Sequence, residues 1–142
     1  MSSQKSRVPA NANQQVLLPE GWPTPKGYSN GILATGRTVY LGGQIGWNEQ
    51  GVFPKTFTEQ VRQALSNIVA VLAVADARPE HIVRIQWFVT DIDAYTGALK
   101  EIGAIYRELI GPHYPCMTLV QVVRLVEVEA MVEIEATAVL PD

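Results

Sequence analysis

The run Val132-Glu133-Ile134-Glu135-Ala136-Thr137-Ala138-Val139 alternates apolar and polar side chains among residues that favour extended backbone. Successive side chains of a strand point to opposite faces, so Val132, Ile134, Ala136 and Ala138 share one face and Glu133, Glu135 and Thr137 the other. A chain with this run must build a sheet with an apolar face to cover and a face that carries two acids. The stretch Met117 to Leu125 is also rich in β-formers and reads as a neighbouring strand. Either the acids meet solvent and a partner subunit, or one of them sits in a pocket and does chemistry.

The rest of the chain supplies the cover. Thr56-Phe57-Thr58-Glu59 is a capping box, and Phe57, Val61, Leu65, Ile68, Leu72 and Ala75 then recur at helical spacing. Gln60, Arg62, Gln63, Ser66 and Asn67 form the wetter side, and the helix should end near Ala75, before Pro79. A second helix is expected from Ala94 to Ile110, with Leu99, Ile102, Ile105, Tyr106 and Leu109 as its buried stripe and Gly111-Pro112 as its stop. His81 to Thr90 alternates and reads as a strand, as does Thr38 to Ile45. Within the latter, Gly42-Gly43 is either a β-bulge or a place where a ligand oxygen rests on exposed peptide N–H groups. Val16 to Thr35 is broken repeatedly by Pro and Gly, and Tyr28 and Trp22 lie there as pocket lids or as plugs for the core edge. This order predicts an α+β domain with both helices on one face of a mixed sheet. The other face needs cover, which points to sheets meeting across subunits in a closed ring.

Composition narrows the chemistry. The 142 residues fit one domain, residues 16–142, behind a flexible tail of residues 1–15. With a net charge of −3 and scattered Lys and Arg, the chain has no basic footprint for nucleic acid. One cysteine excludes an internal disulfide framework, and two histidines leave no metal-ligand spacing, so the site is read as free of metal and cofactor. No signal peptide or membrane-length apolar run is present, so a cytoplasmic location is expected. Cys116 lies three residues from His113, which leaves open a Cys–His pair beside the more ordinary reading of a packing thiol.

Three segments carry a resemblance: Gly42-Gly43-Gln44-Ile45, Ile85-Gln86-Trp87-Phe88-Val89-Thr90-Asp91 and the closing Val132 to Val139 run. In this order and spacing the chain, from about Gly27 to Leu140, resembles the RidA/YjgF family of small deaminases. The resemblance implies a chorismate-mutase-like fold with a mainly antiparallel sheet of about six strands. It also implies a homotrimer with clefts between adjacent subunits, and hydrolysis of enamines or imines to oxo-acids and ammonia. Some members carry other names, 2-aminomuconate deaminase and endoribonuclease among them, and the absence of a basic patch argues against an RNA substrate. Position by position, the family's tight-turn tyrosine looks like Tyr28, its backbone N–H platform like Gly43 with Gly42 beside it, and its water-handling glutamate like Glu133. Gly42 replaces the family's serine, Met117 stands where the carboxylate-holding arginine is expected, and the helping asparagine falls near Gly103.

These departures bear on what can bind. Hydrolysis of an imine needs a proton on nitrogen, an attacking water and a shuttle to the leaving ammonia, and one partly buried carboxyl at Glu133 can do all three. The competing reading has Glu133 and Glu135 as ordinary outward-facing strand residues paired with Arg124 across the ladder. Methionine offers only polarizable apolar contact where arginine would fork a carboxylate. A cleft built with Met117, Trp47, Tyr28 and Phe88 suits an extended, conjugated small molecule such as 2-aminomuconate better than a short imine. Arg124 or Arg37 is then the cation to look for in that cleft. A non-catalytic trimer binding a small metabolite is the alternative function, and a chaperone-like role a third.

Overall fold

The alternating run forms the interior of a four-stranded sheet. The computed structural model describes residues 12–142. Its strands are β1 (Gln14–Leu17), β2 (Gly31–Ala34), β3 (Arg37–Ile45), β4 (Ile82–Val89), β5 (Cys116–Gln121) and β6 (Val132–Leu140), and its helices α1 (Phe57–Val74), α2 (Ile92–Thr96) and α3 (Leu99–Leu109). β1 and β2 form a separate antiparallel ribbon, and the main sheet runs β3-β6-β4-β5. β6 is antiparallel to both neighbours, while β4 and β5 are parallel, with α2 and α3 as the crossover that a parallel pair requires. This is the α+β, mainly antiparallel architecture expected. Residues 1–11 of the expected tail lie outside the described residues, and Gln14 and Gln15 are paired in β1.

The predicted neighbours β5 and β6 do not touch as a ladder, because β4 lies between them. β5 also stops at Gln121, four residues short of Leu125. Its partner β4 ends at Val89, whose carbonyl accepts from Val122 N–H at 2.8 Å, and beyond that there is nothing to pair with. The released segment leaves Val123 99% and Val126 93% exposed.

α1 begins as expected: Thr56 Oγ1 accepts from Glu59 N–H at 3.2 Å, and the Thr56 hydroxyl donates to Glu59 Oε1 at 2.7 Å. It ends with Ala77 N–H on Leu72 O and Asp76 N–H on Ala73 O, Asp76 taking the left-handed backbone (φ 57°) that closes such an end. Val61, Leu65, Ile68 and Leu72 are fully buried against Ile85, Val132 and Ile134 of the sheet, joined by Ile102 and Ile105 of α3. Each such side chain contributes about 1.5–3 kcal/mol on leaving water. Gln60, expected on the wet side, is only 1% exposed, because it holds the chain before α1 and the chain before β6 together. Its Nε2 donates to Pro54 O and Glu129 O, and its Oε1 accepts from Met131 N–H at 2.8 Å.

The helix expected from Ala94 to Ile110 is two helices. α2 starts at Asp91, whose carboxylate accepts from Asp93 N–H at 3.0 Å, and the chain breaks at Gly97, a weak helix former, before α3 begins. α3 is tied to α1 by an exposed, two-point ion pair between Arg62 and Glu108. Opposite the helices, among the described residues, the sheet lacks a covering helix over most of its length, and Tyr40 there is 81% exposed.

Candidate active site

Alternation places Glu133 on the bare face, opposite Ile45 of β3 and Phe88 of β4. The register of β3 against β6 slips between Leu41 and Gln44, so the glycine pair does form a bulge. That bulge also brings Gly43 under the Glu133 carboxylate: a Cβ on Gly43 would overlap Glu133 Oε2, with the carboxyl carbon 2.7 Å away. Only a residue without a side chain leaves the carboxylate this seat against the backbone. Gly42 faces open space.

One row along, Gly42 and Tyr40 border a cavity of about 300 Å³ with Arg84, Gln86 and Glu135. With the Gln86 amide assigned nitrogen toward Glu135, it donates to Oε1 while its oxygen accepts from Arg84 Nη2 at 3.2 Å. Glu135 is therefore engaged by Gln86, not by Arg124 as the ladder reading had it.

Met117 is on the other side of the sheet. It pairs with Ile85 and packs on the core, whereas Glu133 pairs with Phe88, and the odd separation along β4 puts the two on opposite faces. Met117 was expected on a strand next to that of Glu133 and in one cleft with it, and the interposed β4 corrects this. Met117 lines a cavity of about 590 Å³ between the sheet, α3 and residues 25–27, walled by Trp87, Tyr95 and Tyr106. Tyr95 meets Trp87 edge to face at 5.9 Å, and Tyr106 stacks on Tyr114 at 5.7 Å and donates to His113 O at 2.7 Å. Burial, with Tyr114 a second cause, pushes the Tyr106 phenol well up, and burial raises Tyr95 too. Both stay neutral at physiological pH, and among the described residues that line this cavity there is no Asp or Glu.

The remaining candidates separate. Tyr28, 40% exposed, lines a smaller cavity of about 270 Å³ that shares Pro25 and Tyr114 with the Met117 cavity. Its loop is pinned there by Ser29 N–H on Pro115 O at 3.1 Å and Ser29 Oγ on Tyr114 O at 2.6 Å. Trp47 packs on Phe53 at 5.7 Å and does not line the Met117 cavity. Arg124 lines a third cavity with Lys55 and Gln60, and Arg37 pairs with Leu140 at the start of β3, so neither arginine reaches Met117 or Glu133. The cations that do border the Met117 cavity are Lys26 and Arg107, which the sequence reading passed over. The available signal was Arg107 one turn after Gly103, the position already singled out. His113 Nε2 bonds Ile82 O at 2.6 Å, and no hydrogen bond joins it to Cys116 among the described residues.

A family model described as Endoribonuclease L-PSP matches residues 22–140. A solved structure from Yersinia pestis, YyfB of the conserved Rid protein family, superposes with a TM-score of 0.79 at 31% identity, covering 90% of this chain and 99% of that one. The chain belongs to the Rid (RidA/YjgF) family. Its chorismate-mutase-like fold follows from that membership and from the sheet order above. This Rid chain is also 30% identical over 115 residues to Protein mmf2, mitochondrial, of Schizosaccharomyces pombe, covering 81% of this chain and 82% of that one. To a 2-iminobutanoate/2-iminopropanoate deaminase of Dermatophagoides farinae it is 28% identical over 105 residues, covering 72% and 79%. Among the described residues of this Rid chain, no helix is long and apolar enough to cross a membrane.

Proposed function

We propose that this Rid protein hydrolyses an enamine or imine to an oxo-acid and ammonia in clefts between the subunits of a homotrimer. The observation that carries the reading is the Glu133 carboxylate seated over Gly43 on an uncovered sheet face. A relative named as an iminobutanoate/iminopropanoate deaminase supports the reaction class. Glu133 takes a proton from water as its oxygen attacks the imine carbon and delivers that proton to nitrogen. In the tetrahedral aminoalcohol the hydroxyl proton then passes, again by way of Glu133, to nitrogen while C=O forms and the C–N bond breaks, so ammonia leaves with one water consumed and the carboxylate restored. The Gly42 backbone, which faces open space beside the carboxylate seated over Gly43, is where a substrate oxygen would rest.

Because Glu133 and the Met117 cavity lie on opposite faces of one sheet, a site that uses both takes the cavity from one subunit and the carboxylate from the next. The bare face and the exposed Val123 and Val126 support such an assembly. The large cavity beside Met117 favours an extended substrate of the 2-aminomuconate kind over a two- or three-carbon imine. We keep a cytoplasmic location as part of the proposal. A second reading, a trimer that binds a metabolite without turnover, is favoured by one observation: no acid lines the Met117 cavity.

The test is ammonia release from 2-aminomuconate and from imines generated in place. Glu133→Gln should lower it by about 10²–10⁴, the usual loss for a general acid/base. Equal rates in the two proteins would remove Glu133 from the reaction, and no release from either would favour the binding module.

A further inference from the structure

We propose that the cavity beside Met117 binds a carboxylate carried on an aromatic or similarly bulky apolar scaffold, and that Arg107, with Lys26, selects its charge. This deepens the deaminase reading and rests on it for the substrate's identity as an imine acid. Three observations converge.

The first is local charge. The chain carries −3 overall, yet among the residues lining this cavity there is no Asp or Glu, while Lys26 and Arg107 both border it. The phenols of Tyr95 and Tyr106 are held neutral by burial, so nothing anionic in the lining competes for those cations.

The second is that Arg107 is uncommitted. Its neighbour in sequence, Glu108, is held by Arg62 through two contacts, of 2.7 and 3.2 Å. Arg107 and Lys26 have no ion pair among the described residues. Arg107 Nη1 lies 3.4 Å from where a Cβ on Gly103 would stand, so the guanidinium lies across that glycine one turn back, and Gly103 itself lines the cavity. A planar fork held there matches a carboxylate in a way that the thioether of Met117 cannot.

The third is shape. A cavity of about 590 Å³ walled by Trp87, Tyr95 and Tyr106 is of the size that holds whole small-molecule ligands, and its walls reward flat apolar surface. A short aliphatic imine would leave most of it unfilled.

The test is isothermal titration with two probes of one skeleton, phenylpyruvate and phenylacetone, the second lacking the carboxylate. Wild type should bind phenylpyruvate at least about tenfold more tightly, the size of effect expected from a charge-assisted fork at a cavity rim. Arg107→Gln should remove most of that difference and leave phenylacetone binding unchanged, and Arg107→Lys should restore part of it. Loss of affinity for both probes alike would mean that Arg107 only shapes the wall and would overturn the proposal. So would equal affinities in wild type, no binding of phenylpyruvate, or an unchanged preference in Arg107→Gln. The two proposals fail separately. If phenylpyruvate binds through Arg107 but no imine releases ammonia, the reaction falls and the site stands. If ammonia is released from the imine of phenylpyruvate with the same KM in Arg107→Gln, the site falls and the reaction stands.

Discussion

Gly43 and Glu133 act on each other through a contact that neither residue shows alone. The overlap a methyl group would make is with Glu133 Oε2, Cδ and Cγ, the far end of a flexible side chain, not with backbone. Gly43→Ala should therefore fold with stability within about 1 kcal/mol of wild type, since exposed substitutions seldom do more. The carboxylate must shift, however, and ammonia release should fall by about as much as in Glu133→Gln. Rates near wild type, with the variant's fold intact by circular dichroism, would show that the seat of the carboxylate is immaterial. The alternation of Val132 to Val139 made Glu133 legible as a residue standing off the core face. Its seat over Gly43 was not legible, because it depends on a register slip between two strands far apart in sequence. Arg107 escaped notice for a related reason: it is a solvated charge beside an apolar helix stripe, and only the fold shows that a cavity opens there.

At the scale of elements, α1 was readable almost to the residue because a capping box and an apolar stripe report on the same local geometry. What periodicity misassigned was Gln60, whose partners are supplied by chain 69 and 71 residues away. Gln60→Ala should cost about 2–4 kcal/mol in urea denaturation, since it leaves Met131 N–H and two carbonyls unpaired in a buried place and opens a void. A loss below about 0.5 kcal/mol would mean that water replaces the amide without penalty. The single-turn helix at Pro79–His81, which leads into β4, has its own dependence on acid. His81 Nδ1 accepts from Arg78 N–H at 2.8 Å, and burial first, then the charge of Arg78, lowers the imidazole below its ordinary value. The unfolded chain thus takes up a proton at a higher pH than the folded one does. Stability is full above the unfolded value of 6.5 and falls as pH drops below it. The urea midpoint should decline from about pH 7 to pH 5, and His81→Gln should flatten that decline. An equal slope in the variant would assign the decline to other groups. The break between α2 and α3 was not read, although the apolar stripe begins only at Leu99, because a single Gly97 disfavours helix by no more than about 1 kcal/mol and does not by itself mark an end.

Among the described residues, the main sheet carries helices on one side only. That much followed from patterning, since the two helical stripes could both be placed but nothing remained to cover the acid-bearing face. The order of strands did not follow: β4 enters between β5 and β6, and local sequence does not encode which strand pairs with which. With that order in place, the proposed ring makes a definite claim about mass. Sedimentation should give about three times the 15.6 kDa chain. A stable, active monomer would end the intersubunit site. A further consequence follows from the sheet having Met117 on one face and Glu133 on the other. In a ring, each chain would lend its cavity to one neighbour and its carboxylate to the other, so recognition and reaction would be divided between separate copies of the chain. A mixed ring of chains defective only in Arg107 and chains defective only in Glu133 would then contain a junction where both intact halves meet, and two silent alleles expressed together would restore a working site.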